Sequence, residues 1–319
     1  MPVRRCLIGT RLICTFMADS KANAQPFRPR LLLADVDGTL VTKEKILTDR
    51  AQEAVQKLRA AGVEFAITSG RPPRGMEMLI GPLGITTPVA AFNGGLFVKP
   101  PGLEIIEQRV LRSDVVEAVI KIIEEHKLGA WVYRGNDWFV HERHGAHVDR
   151  EEWTVKFSPT VVGSYDGKTD DVAKIVGVSD DLEAVARCEK AVQEAFGMGV
   201  STKKGTPQRD LPREAAAAAN SKPTVSAARS QPYYLDVTHP DANKGGVVIT
   251  LARMLDLRPE EIATIGDMPN DVSMFQKGGL AIAMGQASDE VKGAAHEVTT
   301  SSEEEGFANA VDRFILKAG

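Results

Sequence analysis

The sequence predicts an α/β protein built on a parallel sheet and interrupted by a separate α+β unit. Three observations carry this. Short apolar runs at residues 31–34, 63–68 and 262–265 each end in a turn rich in polar chemistry, as strands buried on both faces do. Helical spacing between the runs implies crossover connections. The middle of the chain instead mixes hairpin and helix signals.

In order, the first run (LLLA) leads into Asp35-Val36-Asp37-Gly38-Thr39. Ligands bind at the carboxyl ends of strands in open α/β sheets. Residues i and i+2 of a strand point the same way, so Asp35 and Asp37 can face one small volume. Two like charges that close resist joint ionisation unless a cation neutralises them or one holds a proton. The stretch therefore indicates a metal site, an acid/base site or both; a strand followed by an Asx turn is the plainer alternative. Gly38 allows close backbone approach to a ligand, and Thr39 adds a hydroxyl. Thr48 caps a first helix carrying Ala51, Ala54, Val55 and Leu58, which Gly62 stops. The second strand, 63–68, ends in Ser69-Gly70-Arg71-Pro72. A hydroxyl beside a glycine there suits a phosphate oxygen, while Arg71 either steadies that site or caps a helix. A third strand, 89–92, ends in Asn93-Gly94-Gly95.

From about residue 112 the character changes. Ser113 caps a helix with Val115, Val116, Val119, Ile120, Ile122 and Ile123. Strands at 128–133 and 138–140 flank Arg134-Gly135-Asn136-Asp137, a hairpin spacing. A strand at 172–178, a helix at about 181–196 and a short strand near 198–202 follow. Trp131, Trp138 and Trp153 read as core or interface packing. His141, His144 and His147 read as a solvated loop; a substrate-selecting loop or a zinc cluster are the alternatives. Residues 205–231 hold three prolines and the alanine run 215–219, and read as an exposed, mobile insertion. A strand at 233–237 leads back to the first unit. Lys244 opens a helix with Val247, Val248, Leu251 and Leu255. A lysine there opposes the helix dipole, a cost easier to understand if it meets an anion. The strand at 262–265 ends in Gly266-Asp267-Met268-Pro269-Asn270-Asp271. A strand at 280–284 and a helix at 303–316 complete the chain.

The 319 residues exceed one usual domain and suggest two. A 43% hydrophobic, 26% charged chain of formal net charge −4 is ordinary for a globular protein and favours neither nucleic acid nor an anionic membrane. Cys6, Cys14 and Cys188 form no pairing pattern, which fits a reducing compartment and a cytoplasmic location. Arg4 and Arg5 before a short apolar stretch, and Ala22-Asn23-Ala24, resemble a weak secretory signal. An unstructured tail over 1–28, with Met17 as an alternative start, is the preferred reading.

Side by side, the strand ends would gather Asp35, Asp37, Asp267 and Asp271, with Ser69 and Lys244 opposite. Oxygen ligands with room for water favour Mg2+ over zinc. Such a cradle matches the charge that develops on a phosphoryl group during transfer. One carboxylate could attack phosphorus, and another two residues away could protonate the leaving oxygen and then activate water.

The set DVDGT, TSGR, a lone NKG lysine and GDMPND, in that order, resembles the haloacid dehalogenase superfamily of phosphatases. The long segment between TSGR and the lysine looks like that of its Cof-type members, which carry a C2 cap. Asn93-Gly94 resembles the turn these members have before the cap. The resemblance implies a Rossmann-like core over 29–111 and 238–319 and a cap over 112–237. It implies Asp35 as nucleophile and Mg2+ ligand, and Asp37 as general acid/base with its carbonyl on the metal. Ser69 and Lys244 would hold the phosphate with the Gly38 and Gly70 amides. Asp267 would bind Mg2+, Asp271 would complete the acidic shell, and Asn270 would bond near the phosphate. Thr39, Arg71 and Asn93 are further candidates. The implied substrate is a small phosphorylated metabolite, a sugar phosphate first among them, handled by a monomer or homodimer. A phosphomutase or phosphotransferase, and a non-catalytic metabolite-binding protein, are the competing readings.

Overall fold

A computed structural model describes residues 28–196 and 223–316. The readings of the N-terminal tail, of a strand near 198–202 and of residues 205–222 lie outside the described residues. Two sheets organise the rest. The larger has eight strands: β1 (Leu31–Asp35), β2 (Glu64–Thr68), β3 (Val89–Ala91), β4 (Leu96–Lys99), β5 (Glu104–Gln108), β12 (Ile262–Gly266), β13 (Leu280–Ala283) and β14 (Glu297–Val298). Their spatial order is β14-β13-β12-β1-β2-β3-β4-β5. The run from β14 to β3 is parallel, and β3-β4-β5 is antiparallel.

β1 sits at the centre because all its side chains are apolar up to Asp35. Leu32 and Ala34 pack on one face, with Val55 and Leu58 of helix Asp49–Ala60. Leu31 and Leu33 pack on the other, with Val247, Val248 and Leu251 of helix Lys244–Met254. Helices on both faces are what a parallel sheet requires. The Thr48 hydroxyl accepts from the Ala51 amide at 3.1 Å, the cap the sequence predicts, worth about 1 kcal/mol.

The second sheet contains β6 (Gly129–Arg134), β7 (Asp137–Val140), β8 (Thr160–Val161), β9 (Val172–Val178), β10 (Ser226–Gln231) and β11 (Tyr234–Thr238), in the order β10-β11-β9-β6-β7-β8. One face buries Val132, Ile175, Leu235 and Val237 against helices Ser113–Glu125 and Leu182–Phe196. Trp131, Tyr133 and Trp138 lie on the other face, in one apolar cluster with Phe92 of the larger unit. The Phe92 and Tyr133 rings are 5.3 Å apart, so the cap rests on the core through aromatic contact.

Several expectations need correction. Residues 226–231, read as part of a mobile insertion, form β10, antiparallel to β11. Their Ser, Ala and Arg content hides a strand that exists because the edge of β11 offers backbone partners. The β4–β5 hairpin is also additional to the sequence reading. Ser113 does not cap its helix: its hydroxyl donates to Asp170 at 2.6 Å, and no side chain caps that end. Trp153 is 50% exposed on helix Val148–Val155 rather than packed in a core, with the Lys156 ammonium 4.6 Å from its ring. The final helix is broken, because Glu305 adopts φ +59° between a 3-10 turn at Ser302–Glu304 and helix Gly306–Ala310.

Candidate active site

Every candidate residue but Lys244 follows a strand of the parallel sheet at its carboxyl end; Lys244 opens the helix after β11 and reaches the same rim. Asp35 closes β1 and is only 4% exposed. The chain then turns sharply through Gly38 at φ +79°. A Cβ at Gly38 would lie 2.5 Å from the Asp267 Oδ2, so glycine is required by both conformation and space.

The two aspartates of the first motif go to different cations. Asp35 Oδ1 accepts from Lys244 Nζ at 2.6 Å. Asp37 is gripped by Arg71, with Nε donating to Oδ2 at 2.8 Å and Nη2 to Oδ1 at 2.6 Å. Lys45 Nζ lies 2.7 Å from the same Oδ1. Arg71 also donates to the Gly75 carbonyl of the 3-10 turn Pro73–Met76 at 3.0 Å, so it both contacts Asp37 and ties down the turn that follows it.

At the end of β12, Asp271 is fully buried. Its Oδ2 accepts from the amides of Asp267 and Met268 at 2.9 and 2.8 Å, and its Oδ1 from Lys244 at 2.5 Å. Lys244 therefore bridges Asp35 and Asp271. Asp267 accepts from Thr39 at 3.5 Å and from Gln286 at 3.3 Å. Ser69 Oγ accepts from the Arg71 amide at 3.2 Å, and the Ser69 carbonyl accepts from the Asn93 amide at 2.8 Å. Carboxylate oxygens of Asp35, Asp267 and Asp271 lie within 4.8 Å of one another.

Burial pushes Asp35 up to about 8; Lys244 pulls the other way, but Asp271 and Asp37 add repulsion. Burial also raises Asp267, with the Asp271 charge adding, to about 6. Asp37 is opposite in sign: burial would raise it, yet the Arg71 and Lys45 contacts win and hold it at about 2. Burial works against the Lys244 charge, but Asp271 and Asp35 together drive its pKa above the usual lysine value.

A cavity of about 610 Å3 opens above these groups. Asp35, Asp37, Ser69, Gly70, Asn93, Lys244 and Asn270 line it, and its far wall is the cap sheet, with Lys174 and Asp236. Gly38, Thr39, Arg71, Asp267 and Asp271 are not among its lining residues. The sequence reading missed Lys45 and Gln286. Lys45 lies in a loop with no motif. Gln286, which donates to the Gly38 carbonyl and to Asp267, follows β13, so its strand-end position was the available signal. The three histidines do not converge: His141 bonds the Val162 carbonyl, His147 bonds Asp180, and His144 is exposed beside Asp149.

A family model described as haloacid dehalogenase-like hydrolase matches residues 32–311. The chain belongs to that family. Among relatives of these hydrolases, YxeH of Bacillus subtilis is 26% identical over 300 residues, spanning 90% of this chain and 98% of its own. The 5-amino-6-(5-phospho-D-ribitylamino)uracil phosphatase YwtE, also of Bacillus subtilis, is 22% identical over 311 residues, spanning 90% and 98%. A crystal structure of a haloacid dehalogenase-like hydrolase from Bacteroides thetaiotaomicron superposes with a TM-score of 0.76 at 24% identity, covering 90% of this chain and 99% of that one. Among the described residues, no helix of this hydrolase is long and apolar enough to cross a membrane.

Proposed function

We propose that this hydrolase is a Mg2+-dependent phosphatase that removes the phosphoryl group of a small metabolite, a sugar phosphate first among them, through an aspartyl-phosphate on Asp35. The observation that carries the reading is the Lys244 ammonium held between Asp35 and Asp271 at the foot of the cavity.

Asp35, Asp267 and Asp271 present oxygen donors only, the set a hard divalent cation takes. Their negative charge exceeds what Lys244 alone neutralises, so the residues fit such an ion. Asp35 and Asp267, with the Asp37 carbonyl, would hold it. Asp271, already engaged by two amides and Lys244, completes the acidic shell. Bound there, the ion supplies positive charge to the phosphoryl oxygens.

The remaining chemistry belongs to the chain. Lys244, Ser69, Asn270 and the Gly38 and Gly70 amides orient the phosphate. An Asp35 oxygen forms a bond to phosphorus as the ester oxygen departs, and that oxygen takes its proton from Asp37. Asp37 then removes a proton from water, which attacks phosphorus and frees Asp35. Arg71 and Lys45 keep Asp37 ionised, the state the second half needs. For the first half their grip must loosen as substrate enters. The cap, residues 112–237, covers the reaction, and the cysteine usage fits a cytoplasmic setting.

The test is phosphate release from a panel of phosphorylated sugars, nucleotides and cofactors with Mg2+. Release that EDTA removes and that Asp35→Asn abolishes is the expected result. Isomerised product without free phosphate would mean a mutase. Tight binding of one metabolite without turnover would mean a non-catalytic binder.

A further inference from the structure

The cap wall of the cavity is built differently from its floor. Period-two alternation sends Leu235 and Val237 into the cap core and leaves Asp236 and Thr238 on the cavity face. β10 pairs Ala228 with Asp236 and Ser226 with Thr238, so small side chains leave room beside them. Lys174 projects from β9 with its ammonium 2.7 Å from Asp236 Oδ2, both side chains largely buried. The other carboxylate oxygen, Asp236 Oδ1, is buried with no hydrogen-bond partner, and so is Asn93 Oδ1 on the core side of the same cavity. Both are acceptors, and a buried acceptor without a donor is costly. Arg229, also on this wall, is engaged by Glu189 at 2.8 Å.

We infer that the Lys174–Asp236 pair determines specificity, selecting a leaving group whose cap-facing end is neutral and hydroxylated and rejecting one that carries a second anion. A hydroxyl donates to Asp236 Oδ1 and accepts from Lys174 without disturbing the pair. A second phosphate or a carboxylate faces the Asp236 charge and gains no cation until the pair is broken. Among the described residues the wall offers no cation without an acidic partner. The inference rests on the phosphatase reading, and it concerns only which phosphoester enters.

The experiment compares kcat/KM for a hexose monophosphate, the corresponding bisphosphate and phenyl phosphate. Wild type is expected to prefer the monophosphate. Asp236→Asn removes the acid in contact with Lys174 and leaves only the more distant Glu151 facing it, so the bisphosphate-to-monophosphate ratio should rise about tenfold, the scale of one close charge pair. Lys174→Met leaves Asp236 unopposed, and the same ratio should fall. A partly unfolded protein would lower all three rates and leave the ratio alone, so opposite shifts exclude a merely structural role. If either variant fails to fold, the other still moves the ratio in its own direction. A ratio unmoved, or moved the same way in both variants, overturns the inference while phenyl phosphate turnover preserves the phosphatase reading. Loss of all turnover in wild type would sink that reading itself.

Discussion

At Asp35, chemistry and stability pull in opposite directions. Its carboxyl is raised to about 8 by burial, against the pull of Lys244. A carboxyl raised on folding binds its proton more tightly in the folded chain. Its contribution is therefore greatest at low pH and is lost as pH rises from about 4 towards 8. In metal-free protein at neutral pH, Asp35→Asn should raise the melting temperature, by about 1 kcal/mol in stability, while removing turnover. Calorimetry beside a phosphate assay reads both. Asp37 has the reverse sign. Its carboxyl is held at about 2, so its contribution is present above about pH 4 and fades as pH falls towards 2. Arg71 is buried and makes two contacts to Asp37, with Lys45 making a third. Arg71→Met leaves that half-buried carboxylate with Lys45 alone and should cost about 2 kcal/mol, with at least a tenfold loss of kcat; chemical denaturation and steady-state rates check it.

Among the elements, β1 and β12 were the most legible. A continuous apolar run ending in acids has few other solutions than a central strand, and both runs fold that way. The loop after β1 depends on Gly38. Gly38→Ala would set a methyl against Asp267 at a left-handed φ, and should cost about 1–2 kcal/mol together with most of the activity. β10 was not legible, because Ser-Ala-Ala-Arg-Ser-Gln lacks the branched and aromatic residues that mark strands. Its partner β11 supplies the reason for it. Deleting residues 226–231 should thus lower the yield of soluble protein, since it bares the β11 edge and removes Ala227 from the cap core; expression and gel filtration read the outcome. Lys45 and Gln286 were hidden for another reason. Each reaches the site from a loop whose path only the folded chain reveals.

For the molecule as a whole, the acidic trio links metal binding to pH. Asp267, at about 6, and Asp35, at about 8, must both ionise to receive a cation. Added Mg2+ should therefore raise the melting temperature little at pH 5 and progressively more towards pH 8. The gain should be largely absent in Asp267→Asn. A thermal-shift titration over pH measures this, and a pH-independent gain would place the ion elsewhere. The motif order foretold the meeting of the four fragments, whereas the cap wall that faces them was silent in sequence. Lys174 and Asp236 are an ordinary lysine and aspartate until strands β9 and β11 set them side by side.

β1 finds one neighbour, β2, soon after it is made, but the other, β12, lies beyond the whole cap. A growing chain thus carries Asp35 with one flank of its strand bare until Ile262–Gly266 has been made. Neither Lys244 nor Asp267 has yet emerged. Any product terminated before residue 262 leaves that flank adhesive, so the acidic trio comes together only after residue 271 has been added.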